Sequence, residues 1–560
     1  MCKKYYFCPD FLNTKANFMN KKTLLAALLL AASTQALAGD YLTNTNHTAS
    51  FLRMPAQEGY ISIEGAYYNP AGIGFLPAGW HFALNNQTAF QTRTPRSTFG
   101  LFANRMDGNG GLVGSTTNKY KGTAVAPIIP ALDVAYVSDG PWFGSFHFGV
   151  IGGGGKCEFD NGLGSFESIV SAVPLALNML TGAMGYGNVL TNEYDMNTYM
   201  RGKQFYFGAQ VSVGYKINEN LSVSLGGRLL YASSNYYGYV RDIKMKTAMP
   251  LQTPQGVAPA GTVMGAENLL GALATTMMAA NPGDPATMQR LQGLESFGKL
   301  VGEVEVNCDQ TGWGFSPIIG IDYKNGPLNI GARYEFGTRL RLKNRSTTTA
   351  EQAAVLRNLA EYEDGKKVPG DMPGMLGVGV GYEFTPRLRA NLAGHLFFDK
   401  SAKMHDNKQD LLKANTWEIL AGVEYDITDR LTASLGGQST NYGIDKEKNF
   451  LSDISFTSSS YSLGAGVKFK ISDKIGLNLA YFKTFYYSSR KHQQDYNHLG
   501  STMGRIVNTA LEKGVITQAE AATVQNNMAA MMQANPDMLK GNDLFDRTND
   551  VIGIGIDIHL

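Results

Sequence analysis

Most of this chain alternates with a period of two. From Trp80 onward, Trp80, Phe82 and Leu84 alternate with His81, Ala83 and Asn85. Successive side chains of a strand point to opposite faces, so one face is apolar and the other small or polar. The pattern returns along 204–217, where Phe205, Phe207, Ala209, Val211, Val213, Tyr215 and Ile217 share a face. Along 328–343, Leu328, Ile330, Ala332, Tyr334 and Phe336 oppose Asn329, Arg333, Glu335, Arg339 and Arg341. The final stretch sets Ile552, Ile554, Ile556, Ile558 and Leu560 against Gly553, Gly555, Asp557 and His559. So many two-faced strands need one solvent for the apolar faces and another for the polar ones.

The connections say which. Tight turns fall at Ser138-Asp139-Gly140, Asn218-Glu219-Asn220, Lys324-Asn325-Gly326, Thr385-Pro386, Thr428-Asp429-Arg430 and Ser472-Asp473-Lys474. Between them lie long connections, near 94–123, 161–201, 247–301, 344–373, 401–413, 443–453 and 491–545. Strict alternation of short and long connections marks an up-and-down barrel in an outer membrane, short turns inside and long loops outside. The strands number fourteen, near 80–93, 124–138, 142–160, 202–217, 221–246, 302–323, 327–343, 374–384, 387–400, 414–427, 431–442, 454–471, 475–490 and 546–560. An even count suits a closed single-chain barrel, and closure leaves no edge exposed to lipid. A soluble sandwich or propeller also alternates, but not with this set of turns, aromatic apolar faces and export signal.

That signal precedes the strands. Lys21-Lys22 is a basic start, Thr23 to Ala32 holds the apolar run, and Ala36-Leu37-Ala38 is an A-x-A cleavage site. Residues 1–38 therefore read as an upstream extension plus signal peptide, with Met19 its natural start and cleavage after Ala38. Residues 39–78 form a segment ahead of the barrel, and 79–560 the barrel itself. No later segment approaches the ~20 apolar residues of a membrane helix. Charges are nearly balanced, 49 basic against 47 acidic, which excludes a nucleic-acid footprint. Cys2 and Cys8 lie before the signal; Cys157 and Cys308 remain, either bridged or free.

The outer connections carry helical spacing. Phe166, Ile169 and Val173 recur along one, Leu269, Leu273 and Met277 along another, and Thr517 with Glu520 forms a capping box in a third. Met-rich amphipathic loops suit an external groove for apolar ligands; packing against one another as a cap is the plainer alternative. No spacing argues for catalysis, a metal or a cofactor, and none of these is expected. Gly152-Gly153-Gly154-Gly155 on the third strand marks either a bend that opens the wall or room for a segment behind it. Polar faces bring Arg228, Arg333, Glu335, Arg339, Arg389, Glu418 and Glu424 into the lumen, as partners for a ligand carboxylate or as a structural network.

One short run ties these readings together. Gly65-Ala66-Tyr67-Tyr68-Asn69-Pro70-Ala71-Gly72 directly precedes the first strand. With Ala38-Gly39 at the cut and Arg53, it resembles the hatch of the FadL/TodX family of outer-membrane transporters for long-chain fatty acids and other hydrophobic compounds. The resemblance implies a 14-stranded antiparallel transmembrane β-barrel, an N-terminal hatch inside its lumen, and partly helical extracellular loops. It also implies passive uptake of a hydrophobic small molecule in a Gram-negative outer membrane. The ligand would land on an external groove (Phe166, Ile169, Val173, Leu269, Leu273, Met277). It would move to a pocket near the new N-terminus, with Tyr41, Leu42, Tyr67, Tyr68, Arg228 and Arg333 as candidates, and leave sideways at Gly152, Gly153, Gly154 and Gly155. Asn69, Pro70, Ala71 and Gly72 would be the hatch motif. Implied partners are outer-membrane lipid and lipopolysaccharide, the ligand, and the barrel-assembly machinery; a monomer is the default. Two departures stand out: a single acid, Glu64, before the motif, and Leu560 where the family ends in Phe. A surface adhesin with a fixed plug, or a binder of haem-like amphipaths, are the competing functions.

Overall fold

The computed structural model describes residues 43–298, 304–348, 361–445 and 449–560. Fourteen strands close into one antiparallel barrel. They are β1 (Gly79–Phe99), β2 (Gly122–Val137), β3 (Trp142–Phe159), β4 (Leu190–Lys216), β5 (Leu221–Thr247), β6 (Val304–Asn325) and β7 (Leu328–Glu335). Then follow β8 (Met375–Thr385), β9 (Leu388–Phe397), β10 (Trp417–Thr428), β11 (Leu431–Asn441), β12 (Ser460–Ser472), β13 (Ile475–Tyr486) and β14 (Gly541–His559). β7 resumes as Arg341–Ser346 and β13 as Ser489–Gln493. β1 pairs with β14 from His81↔His559 to Phe99↔Gly541, which closes the ring.

Local chemistry sets the inner turns. The Asn218 side-chain oxygen accepts the N–H groups of Asn220 (2.8 Å) and Leu221 (2.9 Å). The hydroxyls of Thr385 and Thr428 accept those of Leu388 and Leu431 at 3.0 Å. Such short side-chain oxygens mimic a backbone turn. Gly326, at φ 55°, turns the chain between β6 and β7 in a conformation that favours glycine.

The outward faces are apolar and carry two aromatic rows. All four tryptophans are exposed, Trp80 and Trp142 near the inner turns, Trp313 and Trp417 toward the loops. Tyr136 lies 4.9 Å from Trp80, and Tyr215 4.9 Å from Trp142. From Trp313 to Tyr323 on β6 is about 33 Å along the strand, which a tilt of ~40° reduces to about 25 Å, the height of a membrane band.

β7 departs from expectation. Its alternation does not run unbroken to Lys343: residues 336–340 leave the regular ladder, and both Glu335 and Leu340 point inward. An odd offset moves every following side chain to the other face. Leu340 and Leu342 are therefore buried, while Arg339 and Arg341 are exposed, so Arg339 is not a lumen residue. Arg341 binds Asp371 instead.

Residues 43–78 fill the lumen as a hatch built from α1 (Ala49–Arg53), α2 (Gly65–Tyr68) and a 3-10 turn at Gly72–Phe75. Thr48 caps α1 by accepting the Phe51 N–H at 3.1 Å. Barrel glycines make the space. A methyl group on Gly331 would lie 2.1 Å from the Glu58 carbonyl, on Gly381 2.3 Å from that of Gly59, and on Gly464 2.0 Å from that of Leu52.

The outer loops form a helical cap: α3 (Gly164–Ala183), α4 (Ala266–Ala280), α5 (Pro285–Gly298), α6 (Leu499–Glu512) and α7 (Gln518–Ala534). Both halves of the Thr517–Glu520 capping box are present at the start of α7. α3, with 20 residues, is long and apolar enough to cross a membrane, contrary to the sequence expectation. It is instead buried among the other cap helices.

Candidate functional site

The hatch motif is fixed by donors and acceptors from three neighbouring strands. The Asn69 side-chain amide donates to the Glu58 carbonyl at 2.8 Å and to Asp322 of β6. Its oxygen accepts the Gly72 N–H at 3.1 Å. Only glycine fits at 72, where a methyl group would lie 2.6 Å from the Asn69 amide nitrogen. Ser222 of β5 donates to the Ala71 carbonyl at 2.7 Å, and Gln210 of β4 to that of Ala66 at 2.8 Å. The Glu58 and Ala66 carbonyls would otherwise be buried without a partner.

Tyr67, Tyr68, Arg228 and Arg333 belong to this lock. All four are buried. The Arg228 and Arg333 guanidinium groups lie 4.8 and 4.2 Å from the centre of the Tyr67 ring. Arg333 donates to the Tyr67 carbonyl, and Arg228 pairs with Glu335. Two more buried links pin the hatch: Arg53 to Glu424 of β10, and Glu58 to His395 of β9 at 2.7 Å. His395 is held from its other side by Glu418 at 2.8 Å. The arginines expected to meet a ligand are thus occupied by hatch and wall.

Among the described residues the longest break in the barrel ladder lies between β2 and β3; a shorter one separates 312–317 of β6 from 336–342 of β7. β2 and β3 pair at Gly122↔Phe159 and Thr123↔Glu158, and again from Leu132↔Phe148 down to Val137↔Phe143. Between these, 124–131 on β2 and 149–157 on β3 have no partner across the seam. That is about 26 Å of ladder at ~3.3 Å per residue. Pro127 and Pro130 on β2 have no N–H to offer. On β3, Gly153 and Gly155 have φ of 102° and 71°, and the pairing to β4 shifts register at the same place. Gly152 turns its pairing to the hatch instead, bridging to Thr43, while the Asn44 N–H donates to the Ile151 carbonyl at 2.9 Å.

Behind the seam lies a chamber of about 200 Å³. The hatch contributes Thr43 to Asn46, and the outer loop before β12 contributes Phe450, Leu451 and Phe456. Gln87, Gln91 and Arg93 of β1, Gln204 of β4, Gln438 and Thr440 of β11, and Arg547 and Asn549 of β14 line its wall. It touches both lips of the seam, at 124–126 and at 153–156. A second cavity, of about 620 Å³, opens among the inner turns and is lined on the hatch side by Tyr60 to Ile63. The two share no lining residue, so the hatch separates them.

Several expected site residues fall elsewhere. Tyr41 and Leu42 lie outside the described residues, as does the segment 1–40. Phe166, Ile169, Val173, Leu269, Leu273 and Met277 do not present an open groove: all six are buried in a single cap core, because their apolar faces pack on one another. Cys157 and Cys308 are both free and buried. The register runs Cys157↔Gly202↔Tyr236↔Cys308, three ladder steps or about 14 Å, too far for a bridge. Among the described residues no cluster of His, Cys, Asp and Glu could hold a metal ion. Arg93 and Arg547 were missed, although the alternation that places Asn85 and Asp557 inside also places these two there.

Comparison with known proteins agrees with this geometry. The family model for the outer membrane protein beta-barrel domain matches residues 354–502. A crystal structure of a FadL homologue from Pseudomonas aeruginosa superposes with a TM-score of 0.51 at 13% identity, covering 94% of this chain and 100% of that one. The toluene transporter TodX of P. putida superposes with a TM-score of 0.44 at 13% identity, covering 90% of this chain and 95% of that one. No curated protein matches by sequence. The chain is an outer-membrane β-barrel protein with fourteen strands and an internal hatch. Its fold is that of the FadL barrels.

Proposed function

We propose that this protein is a passive uptake channel for hydrophobic or amphipathic small molecules, of which long-chain fatty acids are the family's familiar cargo. The observation that carries this reading is the unpaired β2–β3 seam opening from the internal chamber. The hatch closes the axial route, since it separates the chamber from the inner cavity. A molecule in the chamber meets the wall opening without crossing the hatch, and leaves sideways into the apolar layer. Passing through lipid suits cargo that prefers it to water. Gly152 to Gly155 are then the exit, and Asn69 to Gly72 hold the plug that forces the turn.

The cap supports entry at the outer face, with Met179, Met264 and Met528 only partly covered at the margin of its core. These margins, rather than the buried helix faces, are the landing surface in this reading. The direct test is mass spectrometry of small molecules that co-purify with the mature barrel, paired with uptake into proteoliposomes. Apolar or amphipathic molecules in stoichiometric amount support the reading. An empty chamber and no uptake above protein-free vesicles contradict it.

A further inference from the structure

Two arginines in the chamber have no carboxylate. Arg93 of β1 and Arg547 of β14 stand directly opposite each other in the register, both on lumen-facing positions. Like charges placed so are destabilising. Each retains a buried Nε without a hydrogen-bond partner. Arg547 donates to the Gln91 side-chain oxygen at 3.1 Å and lies 4.9 Å from the Tyr486 ring centre. Among the described residues neither arginine takes part in an ion pair. Of the other charged groups lining the chamber, Glu418 is held by His395, Gln438 and Thr440, and Lys156 pairs with Glu158 at 2.9 Å. Of the other inward-pointing arginines, Arg228 pairs with Glu335, Arg389 with Glu424 and Asp426, and Arg53 of the hatch with Glu424, while Arg333, without a carboxylate, gives its N–H to the Tyr67 carbonyl.

An arginine pair of this kind presents planar, forked donors that match a carboxylate. The rest of the lining mixes amides and hydroxyls with aromatic rings, among them Phe456, which stacks on Phe545 at 4.8 Å, two residues along β14 from Arg547. Its size also matters. At about 200 Å³ it is somewhat larger than the ~150 Å³ cavity that holds benzene in another protein. That is room for one or two rings rather than an extended acyl chain.

We propose that the chamber binds a compact organic carboxylate, one or two rings in size, whose carboxylate bridges Arg93 and Arg547 while its rings pack on Phe456. This names a cargo class for the uptake path above and rests on that reading for its purpose, not for its test. Arg93 also abuts the exit: a methyl group on Gly154 would lie 2.9 Å from its Nη2. The head-group site and the wall opening are therefore neighbours.

The test is calorimetric titration of the mature barrel in non-ionic detergent with 2-naphthoate, its neutral amide 2-naphthamide, and palmitate. The acid should bind at least ~10-fold tighter than the amide, the difference expected of charge-assisted bidentate bonds. Arg93→Gln with Arg547→Gln should remove that difference and leave the amide unchanged, with heat-modifiable electrophoretic mobility confirming the fold. Should the double variant not assemble, Gly154→Ala, which pushes a methyl toward the Arg93 guanidinium, should weaken the acid several-fold and spare the amide. Equal affinity for acid and amide, or a preference that survives loss of both arginines, overturns the proposal. So does palmitate binding tighter than naphthoate. Naphthoate binding without transport would instead count against the uptake reading alone.

Discussion

Arg53→Ala tests whether the hatch is held by its buried ion pairs. Arg53 is 1% exposed and binds Glu424, Ser434 and Asn478, three groups on β10, β11 and β13. Removing one partner of a buried pair costs about 3–5 kcal/mol, mostly because the other charge is left uncompensated. Glu424 keeps Arg389 as a second partner at 2.6 Å, so the lower end applies. At ~1.4 kcal/mol per tenfold, about 3 kcal/mol raises the population of a displaced hatch by roughly a hundredfold. The barrel ladder does not involve Arg53, so assembly should be unaffected. The assay is single-channel conductance in planar bilayers, with trypsin cleavage of the hatch in outer-membrane vesicles as a second reading. More frequent openings and faster cleavage are expected. Unchanged conductance and an unchanged cleavage pattern would refute the anchoring argument.

Other outcomes follow from the same structure. Asn69→Ala removes three buried hydrogen bonds around the hatch motif and should raise small-solute leakage, measured as antibiotic sensitivity; wild-type leakage would remove the motif's assigned role. Asp453, in the outer loop, accepts the Ser165 N–H at 2.7 Å, and burial followed by the charge of Asp543 pushes its pKa from 3.8 up to about 7. A carboxyl whose folded pKa is raised favours the docked state most below its unfolded pKa, and loses that contribution as pH rises to the folded value. Protection factors in the first turn of α3, with the intrinsic pH dependence of exchange divided out, should therefore fall between pH 4 and 7, and Asp453→Asn should flatten them; wild-type protection factors that do not change with pH would contradict this. Cys157 and Cys308 should migrate identically on reducing and non-reducing gels and react with a thiol reagent only after unfolding, whereas a mobility difference would show a bridge.

Much of the fold was legible because period-two patterning and short turns are local. Asn218, Thr385 and Thr428 announce their turns by side-chain chemistry that acts within three residues. The cap helices were legible too, since the spacing of Phe166, Ile169 and Val173 is itself helical. What covers those faces was not, because it depends on contacts between loops distant in sequence. The same limit hid the role of Arg228 and Arg333, which both pack on Tyr67 of the hatch, more than a hundred residues away. At β7 the pattern misled: residues 336–340 shift the phase, and the one local mark of it is Gly337, since a glycine inside a strand often signals a bulge. Arg93 and Arg547 were within reach of simple parity, had the alternation been followed to the outer ends of β1 and β14.

The seam between β2 and β3 is the claim on which the uptake reading stands. Gly153→Val with Gly154→Val places side chains where Gly153 sits at φ 102° and would meet the Gln204 carbonyl at 2.5 Å, and where Gly154 gives space to Arg93. Both should drive β3 out of its bend and close the opening without preventing assembly. Initial uptake of a fluorescent fatty acid or 2-naphthoate into proteoliposomes is the measurement. Uptake reduced to the level of protein-free vesicles, in a barrel whose heat-modifiable mobility is unchanged, is the predicted result; uptake at the wild-type rate would contradict lateral exit.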